Sequence, residues 1–128
     1  MKKVLMVVFA TLCLGLTSCT NNDEMELQEI INDVEAQVIP LRKVVGEAYW
    51  NGTITGDPAE FEKYSEANMK MTEIFSNKET FAKLKNLKEK GRVKDSLLAR
   101  QLDVLYDSYL SNQADTALLN TIIQKEAA

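Results

Sequence analysis

The segment from Asp95 to Asn112, DSLLARQLDVLYDSYLSN, limits the fold more than any other stretch of the chain. Asp95 is a natural N-cap, and neither Gly nor Pro interrupts the residues after it, so the segment predicts a helix over 96–112. At about 100° per residue, Leu97, Leu98, Leu102, Val104, Leu105, Tyr106, Tyr109 and Leu110 cover roughly two-thirds of the circumference. Only Ser96, Arg100, Asp103 and Asp107 form a wet strip, while Gln101 and Ser108 fall inside the apolar arc. A helix on the outside of a bundle needs an apolar stripe little wider than 100°. This one requires neighbours on two or three sides.

The remaining chain supplies helices and no strand-like alternation. From Glu24 to Tyr49 the apolar residues Leu27, Ile30, Ile31, Val34, Val38, Leu41, Val45, Ala48 and Tyr49 advance in steps of three and four, which predicts a helix over 24–50. Pro40 lies within it and predicts a kink between Ala36 and Pro40, or two helices meeting there. Asn51 to Gly56 breaks the pattern. Asp57-Pro58-Ala59-Glu60 then combines an N-cap, a proline at the first helical position and an acid at the third, opening a helix over 58–75. Phe61, Tyr64, Ala67, Met71, Ile74 and Phe75 form its apolar side, and the short loop makes it antiparallel to the first helix. Ser76-Asn77-Lys78-Glu79 reads as a second capping box, opening a helix over 77–90 that turns Phe81, Leu84 and Leu87 inward and lysines outward, with Gly91 as a left-handed C-cap. Asp115 caps a last helix over 116–128 carrying Leu118, Leu119, Ile122 and Ile123. The expected fold class is all-α, built from antiparallel hairpins.

The beginning of the chain carries an export signal. Lys2 and Lys3 precede the apolar run Val4 to Leu16, which is too short to span a bilayer comfortably. Leu16-Thr17-Ser18-Cys19 resembles the lipobox of bacterial lipoproteins, which implies cleavage before Cys19 and attachment of a diacylglycerol to its thiol. The alternative is an ordinary secretory signal with an incidental cysteine. On the lipobox reading, residues 1–18 are the signal peptide, 19–23 a polar tether and 24–128 the helical region. The mature chain then has neither a disulfide nor a free thiol. It keeps thirteen basic and nineteen acidic residues, a net charge of −6. That argues against a nucleic-acid partner and leaves membrane attachment to the lipid, in the cell envelope, facing the periplasm or the surface.

Catalytic groups are scarce. The sequence has no histidine, which removes imidazole-dependent triads and H-E-x-x-H or E-x-x-H metal sites from this chain. No phosphate-binding glycine loop is present. Asp103 and Asp107, one turn apart, can be read as an acid pair or hard-metal ligands, but a solvated strip neutralised by Arg100 explains them more simply. Glu60, Glu62 and Glu66 read as a wet helix face, Met69 and Met71 as packing and surface residues. Asn51-Gly52-Thr53 matches a glycosylation acceptor of little meaning in a bacterial lipoprotein. The predicted catalytic and metal residues are none.

Two stretches carry a family resemblance. Ala48-Tyr49-Trp50-Asn51-Gly52-Thr53-Ile54-Thr55-Gly56 resembles the A-x-W-x-x-x-x-T-G/T element near the start of angiotensin-converting-enzyme-type zinc peptidyl-dipeptidases. Leu98-Ala99-Arg100-Gln101-Leu102, with Tyr109-Leu110 and Asn112-Gln113, is similar to an R-Q-L…Y-L-x-N-Q pattern in their bacterial relatives. Oligoendopeptidase-F-like peptidases share that architecture. The resemblance marks Ala48, Trp50, Thr55, Gly56, Arg100, Gln101 and Tyr109 as structural motif positions, with Trp50 a packing anchor for the hairpin turn. It implies that these helices form the lid and cleft wall of an exported peptidase of short peptides, as an N-terminal fragment of a larger fold. Zinc and its ligands would then lie elsewhere in the full-length enzyme, and the remaining peptidase chain would be the main partner. The alternative is a small helical lipoprotein acting as a non-catalytic binding or structural module, which leaves the wide apolar surface needing a partner.

Overall fold

A computed structural model describes residues 21–126 of the chain. Among them the fold is all-α: α1 (Asn22–Thr55), α2 (Pro58–Phe75), α3 (Lys78–Lys90), α4 (Ser96–Ser111) and α5 (Thr116–Glu126). The expected signal segment, its expected cleavage site and Cys19 lie outside the described residues.

α1 is the spine of the molecule. Its inward positions Leu27, Ile31, Val34, Val38, Leu41, Val45, Ala48 and Gly52 advance by alternating fours and threes. That seven-residue period keeps one stripe facing a neighbour along the whole helix. α2 folds back along it to form an antiparallel hairpin, the most extensive helix pairing in the fold. α3 and α4 form a second hairpin against the first half of α1, and α5 returns along α2. Leu27, Ile31, Val34 and Val38 therefore meet Leu84 and Leu87 of α3 and Leu102 and Tyr109 of α4 in one buried cluster. Burying each such side chain contributes about 1.5–3 kcal/mol before entropy is counted. Phe75 meets Tyr109 edge to face at 5.4 Å, and Phe81 stacks on Tyr106 at 5.5 Å.

The stripe shrinks toward the tip of the hairpin. Ala48 and Gly52 are buried against a stretch of α2 where Ser65 and Ala67 are also buried, so α2 alone covers this part of α1. Gly52 is inside α1 because of the Phe61 ring. A Cβ at this position would lie 3.0 Å from Phe61 Cζ. Tyr49 and Tyr64 close the same end with ring centres 5.6 Å apart.

Several sequence expectations change. α1 runs through Pro40 as one helix, so two helices do not meet there. Pro40 and Ala36 are both exposed, so the carbonyl released by proline faces water while Val38 stays in the core. α1 also continues five residues beyond Trp50. The Thr53 and Thr55 hydroxyls donate to the Tyr49 and Asn51 carbonyls, and Gly56 at φ 70° closes the helix by donating to Gly52 O. Asn22 and Asp23, expected in a polar tether, are instead the first residues of α1, and Asp23 is buried. Asn21 is the N-cap, its side chain accepting from Asp23 N. At the start of α3 the cap is Asn77, which accepts from Thr80 N at 2.9 Å. The Ser76 hydroxyl is buried without a partner, and Glu79 pairs with Lys83 at 2.9 Å instead of closing a capping box. Asp57, Asp95 and Asp115 cap α2, α4 and α5 through Ala59 N, Leu98 N and Leu118 N. Gly91 ends α3 at φ 60°.

Two glycines of α1 test this packing. A Cβ added at Gly46 would meet nothing within 4 Å, so Gly46→Ala is expected to stabilise the fold by about 0.5–1 kcal/mol through helix propensity. Gly52→Leu must expel the Phe61 ring and is expected to destabilise by about 1–3 kcal/mol. Urea denaturation of both variants checks the pair.

Candidate functional site

An apolar groove of about 310 Å³ lies between α1 and α4, smaller than the polar depression of about 650 Å³ between α2 and α5. Ile31, Val34, Glu35, Val38, Ile39 and Arg42 form its α1 wall. Arg100, Gln101, Val104, Leu105 and Ser108 form its α4 wall, and Phe75 reaches it from α2. The lining follows from helix geometry. On α4 the residues facing the core are Leu98, Leu102, Leu105, Tyr106 and Tyr109, whereas Gln101, Val104 and Ser108 lie about 100° around the helix. Gln101 and Ser108, polar residues within a greasy arc, thus border an open groove and avoid the core. Val104 is 51% exposed and Ile39 opposite it is 61% exposed.

α4 is tied at both ends, which sets where the groove opens. At its start, Glu24 on the first turn of α1 accepts from Lys94 N at 2.7 Å and Asp95 N at 3.1 Å. Asn21 donates to Arg92 O, and Lys90 bonds Asp23 at 2.8 Å. At its end, the Gln113 amide donates to Phe75 O at 3.3 Å and Tyr109 O at 3.0 Å. With α1 and α4 running the same way, Arg100 lies on the groove toward the α3–α4 loop and Arg42 toward the opposite end. Neither guanidinium has an ion pair within 4 Å among the described residues. Arg100 is close enough to Asp103 to help lower the pKa of that carboxyl, a smaller effect than that of Lys88.

Asp103 and Asp107 are surface groups, as are Glu62 and Glu66. Asp103 hydrogen-bonds Lys88, which holds its pKa below the usual aspartate value and raises that of Lys88. Lys88 also lies 5.0 Å from the centre of the Tyr106 ring. A carboxyl so engaged is a poor general acid at neutral pH. Glu60 pairs with Lys63, while Glu62 and Glu66 border a polar depression between α2 and α5. No group of three potential metal-ligating side chains occurs among the described residues, and none of their helices is long and apolar enough to cross a membrane.

The motif positions separate in space. Arg100 and Gln101 line the groove, and Tyr109 is buried beneath its α4 wall with its pKa raised by burial against a smaller opposing effect of the Thr80 hydrogen bond. Ala48 is buried at the hairpin, and Thr55 and Gly56 end α1. Trp50 is 65% exposed, so it is not the anchor of the turn; Phe61 seated on Gly52 fills that role. Sequence reasoning missed Ile39, Arg42 and Phe75 as groove residues, because which sides of α1 and α4 face one another depends on tertiary packing.

No family model matches the chain, and neither does any curated protein or solved structure.

Two measurements check this description. Val104→Glu is expected to change the unfolding free energy by no more than about 0.5 kcal/mol, whereas Leu102→Ala costs about 2–4 kcal/mol, both read by urea titration. Tyr109 ionises at higher pH in the folded state than in the unfolded chain. Its contribution is therefore complete below about pH 10 and is lost as pH rises through the folded-state pKa. Tyr109→Phe is expected to show a smaller fall in urea midpoint between pH 9 and pH 11.

Proposed function

We propose that the protein is a non-catalytic binding module held at the bacterial envelope by a lipid on Cys19, with the α1–α4 groove as its recognition site. The observation that carries this reading is the groove itself, an apolar trough with exposed Ile39 and Val104 facing each other and a guanidinium toward each end. From Ile31 to Arg42 it extends along about 16 Å of helix, three turns, which suits an amphipathic helix laid between two parallel helices. Arg42 and Arg100 favour acidic residues at the ends of such a helix. Cys19 precedes α1 by three residues, so a lipid there would keep the Asn21 end of the bundle near the membrane. The other end of the spine would then project up to about 50 Å away.

A second reading rests on the exposed Trp50, Ile54 and Leu97, which lie outside the groove. These faces suit helices that pack on a larger body, as in the lid and cleft wall of an exported zinc peptidyl-dipeptidase acting on short peptides. Zinc and the catalytic residues would come from another part of such an enzyme. A reading frame continuing past Ala128 into an H-E-x-x-H segment would support this second reading.

For the groove, selection of binders from a displayed library of amphipathic helical peptides is the direct test. The selected peptides are expected to carry acidic ends and to lose at least tenfold in affinity against Val104→Glu and against Arg42→Glu combined with Arg100→Glu. A library that yields no binder sensitive to these changes overturns the proposal.

A further inference from the structure

α5 has the dimensions and charges that the groove requires. It contains eleven residues, about 16 Å of helix, matching the Ile31–Arg42 wall. Leu119 and Ile123 are half-buried in the fold, whereas Leu118 (58% exposed) and Ile122 (46% exposed) form a separate apolar stripe one turn apart. Asp115 precedes the helix and Glu126 ends it, placing an acid at each end. Lys125 adds a cation beside Glu126, and Glu35 is the one acid of the groove lining.

Within one chain the stripe and the groove do not meet, because α5 lies along α2, where Gln124 borders a depression with Gly56, Pro58 and Phe61. From this we infer that the occupant of the groove is α5 of a second copy of the same chain. Leu118 and Ile122 enter between Ile39 and Val104, and the acids at the two ends of the helix face Arg42 and Arg100. The contact joins two different surfaces, so it either closes reciprocally into a two-fold pair or continues from copy to copy. This inference rests on the groove being a recognition site and adds the identity of its ligand.

The test uses full-length chains at the membrane. One copy carries Val104→Cys and a differently tagged copy carries Ile122→Cys; mild oxidation then reports which surfaces touch between copies. The expected result is a mixed disulfide at least tenfold more abundant than that between Trp50→Cys and Ile122→Cys chains. Adding Arg42→Glu and Arg100→Glu to the groove-bearing copy is expected to lower the yield at least fivefold. A yield equal to the Trp50→Cys control, or one unmoved by the charge reversal, overturns the inference. If peptide selection still finds groove binders in that event, the recognition site stands and only its occupant is wrong.

Discussion

The fold depends on one uninterrupted apolar stripe along α1. Leu27, Ile31, Val34 and Val38 need cover from several sides and receive it from α2, α3 and α4. Farther along, Ala48 and Gly52 offer so little bulk that α2 alone closes over them, using the Phe61 ring at the glycine. The change in side-chain size along one helix thus separates a broad base, where α1 is covered by α2, α3 and α4, from a thinner tip, where α2 alone covers α1 and α5 lies along α2. Pro40 lies between these regions on the solvent side, where losing a backbone hydrogen bond costs least.

Much of this was readable in the sequence, because periodicity and capping are local. The five helices, the antiparallel α1–α2 hairpin, the Asp57, Asp95 and Asp115 caps and the Gly91 terminus all follow from neighbouring residues. The failures have a different character. Asn51 to Thr55 looks like a breaker sequence, yet Phe61 holds Gly52 in place and two threonine hydroxyls satisfy carbonyls one turn back. Asn21 to Glu24 looks like a tether, yet Lys90, Arg92 and the Lys94–Asp95 backbone bring it into the fold from about seventy residues away. Partners so distant leave no periodic trace. The capping-box pattern puts the cap of α3 at Ser76, whereas the backbone puts it one residue later, at Asn77.

The groove was half legible. The excess apolar arc of α4 showed that this helix has more surface than one core can take, and Gln101 and Ser108 were visible exceptions within it. What the sequence could not show is that the surplus faces α1, with Ile39 opposite Val104. That juxtaposition requires α4 to run parallel to α1, an orientation set by the hydrogen bonds from the first turn of α1 to the α3–α4 loop.

Those same bonds explain why the groove stays open. Two flat apolar helix walls gain free energy by closing on each other, so a lasting trough between them needs something to hold them apart. Glu24 fixes α4 at one end through two backbone N–H groups, and Gln113 ties the other end to Phe75. Phe75 itself stands between the walls, braced edge-on by buried Tyr109. Closing the groove would break polar ties at one end or displace the Phe75–Tyr109 pair at the other. The two walls are thus braced at both ends of α4, by hydrogen bonds at its start and by contacts with Phe75 at its end.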